Sequence, residues 1–514
     1  MSYDGSRRGS GRTLNRRQAI AQLALGGAGL LLAGCGGART IGAAADGSTL
    51  ESMWVDGRGD GQLEPRAGVA LIDRTELAPA GAVGAGMALL AHLTDAHITD
   101  EESPARVPFL RRLGPPFNST FRPQEALSKR VFAGALRSIA DLHPDAVIQG
   151  GDLIDNAQRN ELDWALALLS GGRVDPRSAN TAYEGVQSQA NPDPFYYRPD
   201  VDAPRHPGLL SDAVQPFTSP GTDAPVYPVL GDHDILVQGV LAPTPLTRAI
   251  ALGDRAIWDL PTGLKLPAGL SPSSGSAADS SPDSLAKPGL LEGLIEQVRA
   301  AASVPVAPDS ARAELSVEEV LAGLRARGQG GAGRLLEYSF DLGERVRVIV
   351  LDLVRREGGS GGLVLPEQAP RLESELSAAG DRWVIVISHQ PLASSEGGER
   401  LLGLLDRSPR VIAALSGHTH RHRITPRASP AGGYWLIATG SLIDFPQELR
   451  AIRVVEQGTD GVALETWMID HAPDPRVGDI ARQLSYIDAQ GGRPQGFAGG
   501  PLDRNVRLFK RAVG

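Results

Sequence analysis

Disulfides have no part in holding this chain together, because its 514 residues contain a single cysteine, Cys35. An internal bridge needs a pair, so stability must come from packing and bound metal. Aromatic residues are scarce, at 5%. No surplus of basic residues exists either: 51 Lys and Arg stand against 60 Asp and Glu, a formal net charge of −9. A nucleic-acid backbone calls for basic patches, so no nucleic-acid partner is expected. The apolar stretch from Ala19 to Ala33 is too short for a comfortable membrane span. Glycine (62) and proline (38) are plentiful by contrast, which points to long loops and insertions. Hydrophobic residues at 41% and charged residues at 22% mark a globular chain.

The first 35 residues read as a targeting segment and stand outside the fold. Arg16-Arg17 precedes the apolar stretch, which runs into Leu32-Ala33-Gly34-Cys35. Paired arginines before such a run suggest twin-arginine export. Leu-Ala-Gly-Cys resembles a bacterial lipoprotein box, in which Cys35 becomes the lipidated first residue. The protein is then expected outside the cell, on the outer face of the membrane through that lipid or secreted. Removing residues 1–34 takes away five arginines and one aspartate, and the formal charge falls from −9 to −13.

Residues 36–86 read as a linker and lead-in segment, and 471–514 as a C-terminal extension. Between them, 87–470 alternates apolar runs with helical periods. Met87–Leu93 suits a strand buried on both faces, a helix is expected over about Pro123–Leu142, and Ala146–Gln149 follows as a strand. That order belongs to an α/β fold. Further strands are expected at Leu336–Phe340, Val346–Leu353, Trp383–Ile387, Val411–Leu415 and Tyr434–Ala438. Leu449–Val455 and Val462–Ile469 read as a hairpin. Two segments, about 159–221 and 240–334, look inserted. The first carries a helix near Glu161–Leu169. The second carries a Ser/Pro/Gly/Asp tract (Ser271–Ser284) and helices over Pro288–Ala302 and Leu315–Arg327.

Five short blocks, each behind an apolar run, hold the chemistry. They are Asp95-Ala-His97, Gly151-Asp152-Leu-Ile-Asp155-Asn156, Gly231-Asp232-His233-Asp234, Ser388-His389-Gln-Pro and Gly417-His418-Thr-His420. Together they supply carboxylates and imidazoles enough for two ions. Such mixed nitrogen and oxygen donors suit Zn, Mn or Fe over Ca or Mg. The Asp of Gly-Asp is a natural bridge, since one carboxylate can bind two ions with its two oxygens. Two ions ~3.5–4 Å apart can clamp a phosphoryl group and lower the pKa of a bridging water.

These blocks resemble the calcineurin-like metallophosphoesterase superfamily, whose pattern is Asp-x-His, Gly-Asp-x-x-Asp, Gly-Asn-His-Asp/Glu, His and Gly-His-x-His. Thr94-Asp-Ala-His-Ile-Thr-Asp100 and Arg122-Pro-Gln-Glu-Ala126 are similar to exported actinobacterial members with long inserts. The resemblance implies an α/β fold, a four-layer α-β-β-α sandwich with two mixed sheets and the metals at the strand carboxyl ends. It implies that Asp95, His97, Asp152 and His420 hold one ion and Asp152, Asp232, His389 and His418 the other. These would be two divalent or mixed-valence Mn, Fe or Zn ions. His233 would be the outer-sphere acid that protonates the leaving oxygen. The activity implied is hydrolysis of a phosphate ester, by a bridging hydroxide attacking in line with the leaving group.

Two positions depart from the pattern. Asp232 stands where the family has Asn, which cancels one unit of positive charge at the centre. The fourth block is Ser-His-Gln-Pro rather than a paired-histidine form. Asp155 replaces the tyrosine of purple acid phosphatases, which disfavours that subclass. Asp232 and the altered fourth block alone support the alternative, a binding or scaffold protein at the cell envelope with a weakened centre. No ligand role is expected for His92, His143, His206, His422 or His471; His422 reads as a solvated loop residue. Arg106 and Arg122 read as structural salt-bridge partners. No motif names a protein partner.

Overall fold

The computed structural model describes residues 45–113, 120–179, 182–260, 297–298, 301–327, 331–458, 461–491 and 497–511. The targeting segment with Arg16, Arg17 and Cys35 and the Ser271–Ser284 tract lie outside the described residues, as does most of the helix expected over Pro288–Ala302. No described helix is long and apolar enough to cross a membrane.

Continuous apolar runs become the inner strands. Ala146–Gln149, Trp383–Ile387 and Tyr434–Ala438 are strands over the expected spans. Side chains alternate across a strand, and both faces of Trp383–Ile387 are covered. Ile385 and Ile387 enter the central core, while Val384 and Val386 meet Leu372, Leu401, Leu402 and Leu405 of the helices Gln368–Ala378 and Gly398–Leu405.

The chain is mixed α/β, as expected, and its two main sheets are both mixed. The seven-stranded sheet runs Ile72–Arg74, Val506–Arg511, Gly461–Asp470, Glu448–Gln457, Val83–Leu93, Ala146–Gln149, Val226–Pro228. Its last three strands are parallel, with Leu90 opposite Ala146 and Val147 opposite Val226. The six-stranded sheet runs Tyr338–Leu342, Val346–Val350, Trp383–Ile387, Val411–Ser416, Tyr434–Ala438, Arg423–Arg427. Its four middle strands are parallel. Both sheets feed one core, in which Leu90, Val147, Ile452 and Leu464 share a cluster with Val348, Ile385, Ile412 and Ile437. Tyr227 stacks on Phe340 at 3.5 Å, and the Tyr338 hydroxyl donates to Pro228 O at 2.7 Å.

Three features differ from the sequence reading. The seven-stranded sheet reaches outside 87–470, because Val506–Arg511 pairs with Gly461–Asp470 and Ile72–Arg74 with Val506–Arg511. The helix expected from Pro123 begins at Ser128, after a 3-10 turn over Glu125–Leu127. Glu125 accepts the Arg122 amide at 2.8 Å and so closes that turn ahead of the helix. The helix within 159–221 spans Arg159–Ser170 and packs against Val317–Arg327, so Leu162, Leu168, Leu321 and Leu324 join the main core.

Candidate metal centre

Parallel strands deliver their carboxyl ends to one edge, where open α/β sheets gather ligands. Asp95 and His97 follow Val83–Leu93, Asp152 and Asp155 follow Ala146–Gln149, and Asp232 and His233 follow Val226–Pro228. From the other sheet, His389 follows Trp383–Ile387, and His418 and His420 follow Val411–Ser416. One ligand atom from each of Asp95, His97, Asp152 and His420 falls within 4.8 Å of the others. The same holds for Asp152, Asp232, His389 and His418. Every expected ligand position is therefore brought together, in two sets that share Asp152.

Local backbone geometry aims these side chains. Asp95, His97, Asp152, His418 and His420 all have left-handed φ, between 43° and 64°. Such conformations in residues with a Cβ concentrate at functional sites. Two glycines let the loops close. A Cβ on Gly151 (φ +98°) would sit 2.3 Å from His389 Nδ1, and one on Gly231 would sit 2.1 Å from the Asp152 amide nitrogen.

The imidazole hydrogen bonds show what the centre is built for. His389 Nδ1 donates to Gly150 O at 2.8 Å, His97 Nδ1 to Asp155 Oδ1 at 2.8 Å and His420 Nδ1 to Asp444 Oδ2 at 2.6 Å. Each Nδ1 therefore carries a proton, and in the neutral ring that a metal ligand requires each Nε2 presents a lone pair. His97 Nε2 faces His420 Nε2 at 3.2 Å. His389 Nε2, buried and without a hydrogen-bond partner, stands 3.1 Å from Asp152 Oδ2 and 3.3 Å from Asp232 Oδ1. With the rings neutral, lone pairs opposed to lone pairs and carboxylates repel unless a cation lies between them. Two nitrogens bound at ~2.0–2.1 Å to one ion stand about 3–3.4 Å apart, and the His97–His420 spacing fits. The donor set suits mid-row ions in both positions.

Asp152 stands where the two sets meet. Its Oδ1 accepts the His233 amide at 2.9 Å. Its Oδ2 looks to both sets, 3.1 Å from His389 Nε2 and 3.8 Å from His97 Nε2.

Burial would raise the Asp232 carboxyl, but His418 and His389 hold it well below the usual carboxylate range. Burial would likewise raise Asp155, and His233, His97 and Arg106 pull it down. Burial and the neighbouring His233 push His97 down to about 4, so its ring is neutral, as a ligand's must be. For His233, burial opposes protonation, yet Asp152, Asp155 and Asp232 outweigh it and lift the ring to about 10.

Sequence reasoning missed the carboxylates behind the ligands. Asp155 Oδ1 faces His233 Nδ1 at 3.2 Å as well as His97, and Gln238 Nε2 donates to its Oδ2 at 2.9 Å. Asp444 lies after Tyr434–Ala438, outside any block. Asp234 accepts the amides of Leu153 at 2.8 Å, Ile154 at 3.1 Å and Gly231 at 2.8 Å, binding two ligand loops together. The two departures from the family pattern meet, since Gln390 Nε2 donates to Asp232 Oδ1 at 3.0 Å. His422 is buried rather than solvated; it accepts the Gly440 amide at 2.9 Å and stands 3.4 Å from Glu448, away from the centre. Arg106 and Arg122 form buried ion pairs, as the sequence suggests.

No protein-family model matches this chain, and no curated protein matches it. Among solved structures it is similar to a dimetal phosphatase from Danio rerio, at 14% identity over 75% of this chain and 100% of that one, with a TM-score of 0.35. It is also similar to PhoD, at 12% identity over 84% of this chain and 80% of that one, with a TM-score of 0.30.

Proposed function

We propose that this chain is a metal-dependent phosphoric ester hydrolase. Asp95, His97, Asp152 and His420 hold one ion and Asp152, Asp232, His389 and His418 the other. The reading is carried by imidazole lone pairs, fixed by their Nδ1 hydrogen bonds and turned onto one another and onto carboxylates in two sets that share Asp152. Mn, Fe or Zn bound there would supply Lewis acidity toward a phosphoryl group and a nucleophile at neutral pH.

The protein's own groups then bind and orient the ester. Three imidazole side chains, His233, His418 and His420, keep 11–12% of their surface exposed, while the carboxylates and the remaining imidazoles of the centre keep 2% or less. The ester reaches the centre past those three rings. His233 Nδ1 is held by Asp155 O at 3.0 Å and by the Asp155 carboxylate. Its Nε2 is left to hand a proton to the departing oxygen.

The same reading takes the two sheets with their flanking helices as a four-layer sandwich, interrupted at about 159–221 and 240–334. It takes residues 1–35 as a twin-arginine signal ending at lipidated Cys35, supported by Arg16-Arg17, the apolar stretch and Leu-Ala-Gly-Cys. The enzyme would then act outside the membrane. Cys35→Ser should release it in soluble form or leave the precursor uncleaved. A membrane-bound, cleaved Cys35→Ser protein would remove the lipid from the account.

The decisive experiment measures metal content and hydrolysis of phosphomonoesters, cyclic nucleotides and diesters, in the natural chain and in Asp152→Ala. Two ions per chain and ester hydrolysis are expected, both lost in the variant. One ion or none in metal-replete protein, or full activity of the variant, overturns the proposal.

A further inference from the structure

The two imidazoles of the first set are joined behind their backs. His97 Nδ1 donates to Asp155 Oδ1 at 2.8 Å, and Asp155 Oδ2 lies 3.4 Å from Arg106 Nε. Arg106 pairs with Glu125, whose other oxygen accepts the Arg122 amide at 2.8 Å. Arg122 Nε donates to Asp444 Oδ1 at 3.0 Å, and Asp444 Oδ2 accepts from His420 Nδ1 at 2.6 Å. His97 and His420 then face each other through Nε2 at 3.2 Å, which closes the ring. Its five backing side chains are each no more than 2% exposed.

Buried carboxylates need partners. Arg106 and Arg122 neutralise Asp155 and Asp444, which frees each carboxylate to fix one imidazole tautomer. Glu125 fixes the spacing of the two arginines, holding one through its side chain and the other through its backbone. It touches neither imidazole. Arg122 and Glu125 both belong to the phrase Arg122-Pro-Gln-Glu-Ala126, to which the hydrolytic reading assigns no role.

We propose that Asp155–Arg106–Glu125–Arg122–Asp444 is a positioning collar that sets the separation of His97 and His420 and so governs retention of the first ion, with Glu125 as its keystone. This rests on the dinuclear reading above. Outer-shell partners of metal ligands typically contribute about 10–100-fold in affinity, and the collar predicts that factor for one ion only. Gln at 125 keeps the shape but turns an N–H group toward either the Arg106 guanidinium or the Arg122 amide, both of them donors.

The test is titration of the metal-free full chain with Mn or Zn, reading both dissociation constants, with thermal unfolding as the check on folding. The natural chain should take up two ions. Glu125→Gln and Arg122→Met should weaken one constant by about 10–100-fold and leave the other within about twofold. Arg122→Lys, which keeps the charge, should recover much of the loss. In a His389→Ala background, which lacks one second-set ligand, Glu125→Gln should still weaken the remaining ion by the same factor. Fewer than two ions in the natural chain would remove the dinuclear reading itself. Two ions in the natural chain with both constants unchanged in the folded variants would overturn the collar alone. Equal weakening of both constants, or no recovery with lysine, would reduce its members to general scaffolding.

Discussion

Asp155→Asn changes one atom type and tests the centre most sharply. Six side chains turn N–H or O–H groups toward this carboxylate. His97 Nδ1 (2.8 Å) and His233 Nδ1 (3.2 Å) face Oδ1; Gln238 Nε2 (2.9 Å), Asn156 Nδ2 (3.3 Å), Thr99 Oγ1 (3.4 Å) and Arg106 Nε (3.4 Å) face Oδ2. Asparagine offers one acceptor oxygen and one N–H group. Turned either way, it sets its N–H group against at least two of these donors. A hydrogen bond to a charged group contributes about 1.5–3 kcal/mol, so two lost bonds cost ~3 kcal/mol at the low end. Expressed in turnover, that is about a hundredfold. Because Asp155 orients both a proposed ligand and the proposed acid, two readouts should move together. Metal retention should weaken, and turnover should fall further on alkyl phosphate esters than on nitrophenyl esters, whose leaving group needs no proton. The assay compares both esters at saturating metal and follows with elemental analysis after dialysis. A variant that holds two ions and turns over both esters at the natural rate would refute the orienting role. An equal fall on both esters with full metal would detach His233 from it.

His233→Ala should keep both ions and slow turnover by about 10²–10⁴, less on nitrophenyl than on alkyl esters; equal losses would favour simple charge stabilisation. Asp232→Asn restores one positive charge, worth up to ~4 kcal/mol at ~4 Å and an effective dielectric of ~20, so even heavily screened it should favour monoesters over diesters by about tenfold. An unchanged ratio and unchanged metal content would show that the Asp232–Gln390 contact carries no specificity. Outside both ligand sets, Glu314 is lifted by burial from 4.5 to about 7, though Thr247 donates to it at 2.9 Å. Between those pH values the folded state binds the extra proton, so stability falls as pH rises through that window. Glu314→Gln should flatten this slope and be more stable at pH 8 by up to ~3 kcal/mol; parallel urea-unfolding profiles from pH 5 to pH 8 would contradict it.

The ligand blocks were legible because each is a short phrase tied to a strand end, and inner strands announce themselves as apolar runs. Ala146–Gln149 and Trp383–Ile387 needed nothing more. Several outer strands gave no such signal. Arg423–Arg427 carries two arginines and a proline and pairs only with Tyr434–Ala438, a place where proline is tolerated. Val506–Arg511 and Ile72–Arg74 lie outside every motif, so the sheet's outer limit stayed hidden. Asp444 was invisible because its role depends on His420 lying beside it in space, 24 residues away in sequence. Asp155 was readable as part of Gly-Asp-x-x-Asp. Its double hold on His97 and His233 was not, since pattern records spacing and not orientation.

The left-handed backbone at Asp95, His97, Asp152, His418 and His420 sets folding against chemistry within single residues. A residue with a Cβ is held there at a cost of about 1–2 kcal/mol, which glycine escapes. Truncation to glycine at any of the five should therefore yield a better folder than truncation to alanine. A lineage relieved of hydrolysis would find glycine the downhill change at all five positions. Each Asp and His that stands there is a small debt carried by the fold, one that the proposed metal centre accounts for.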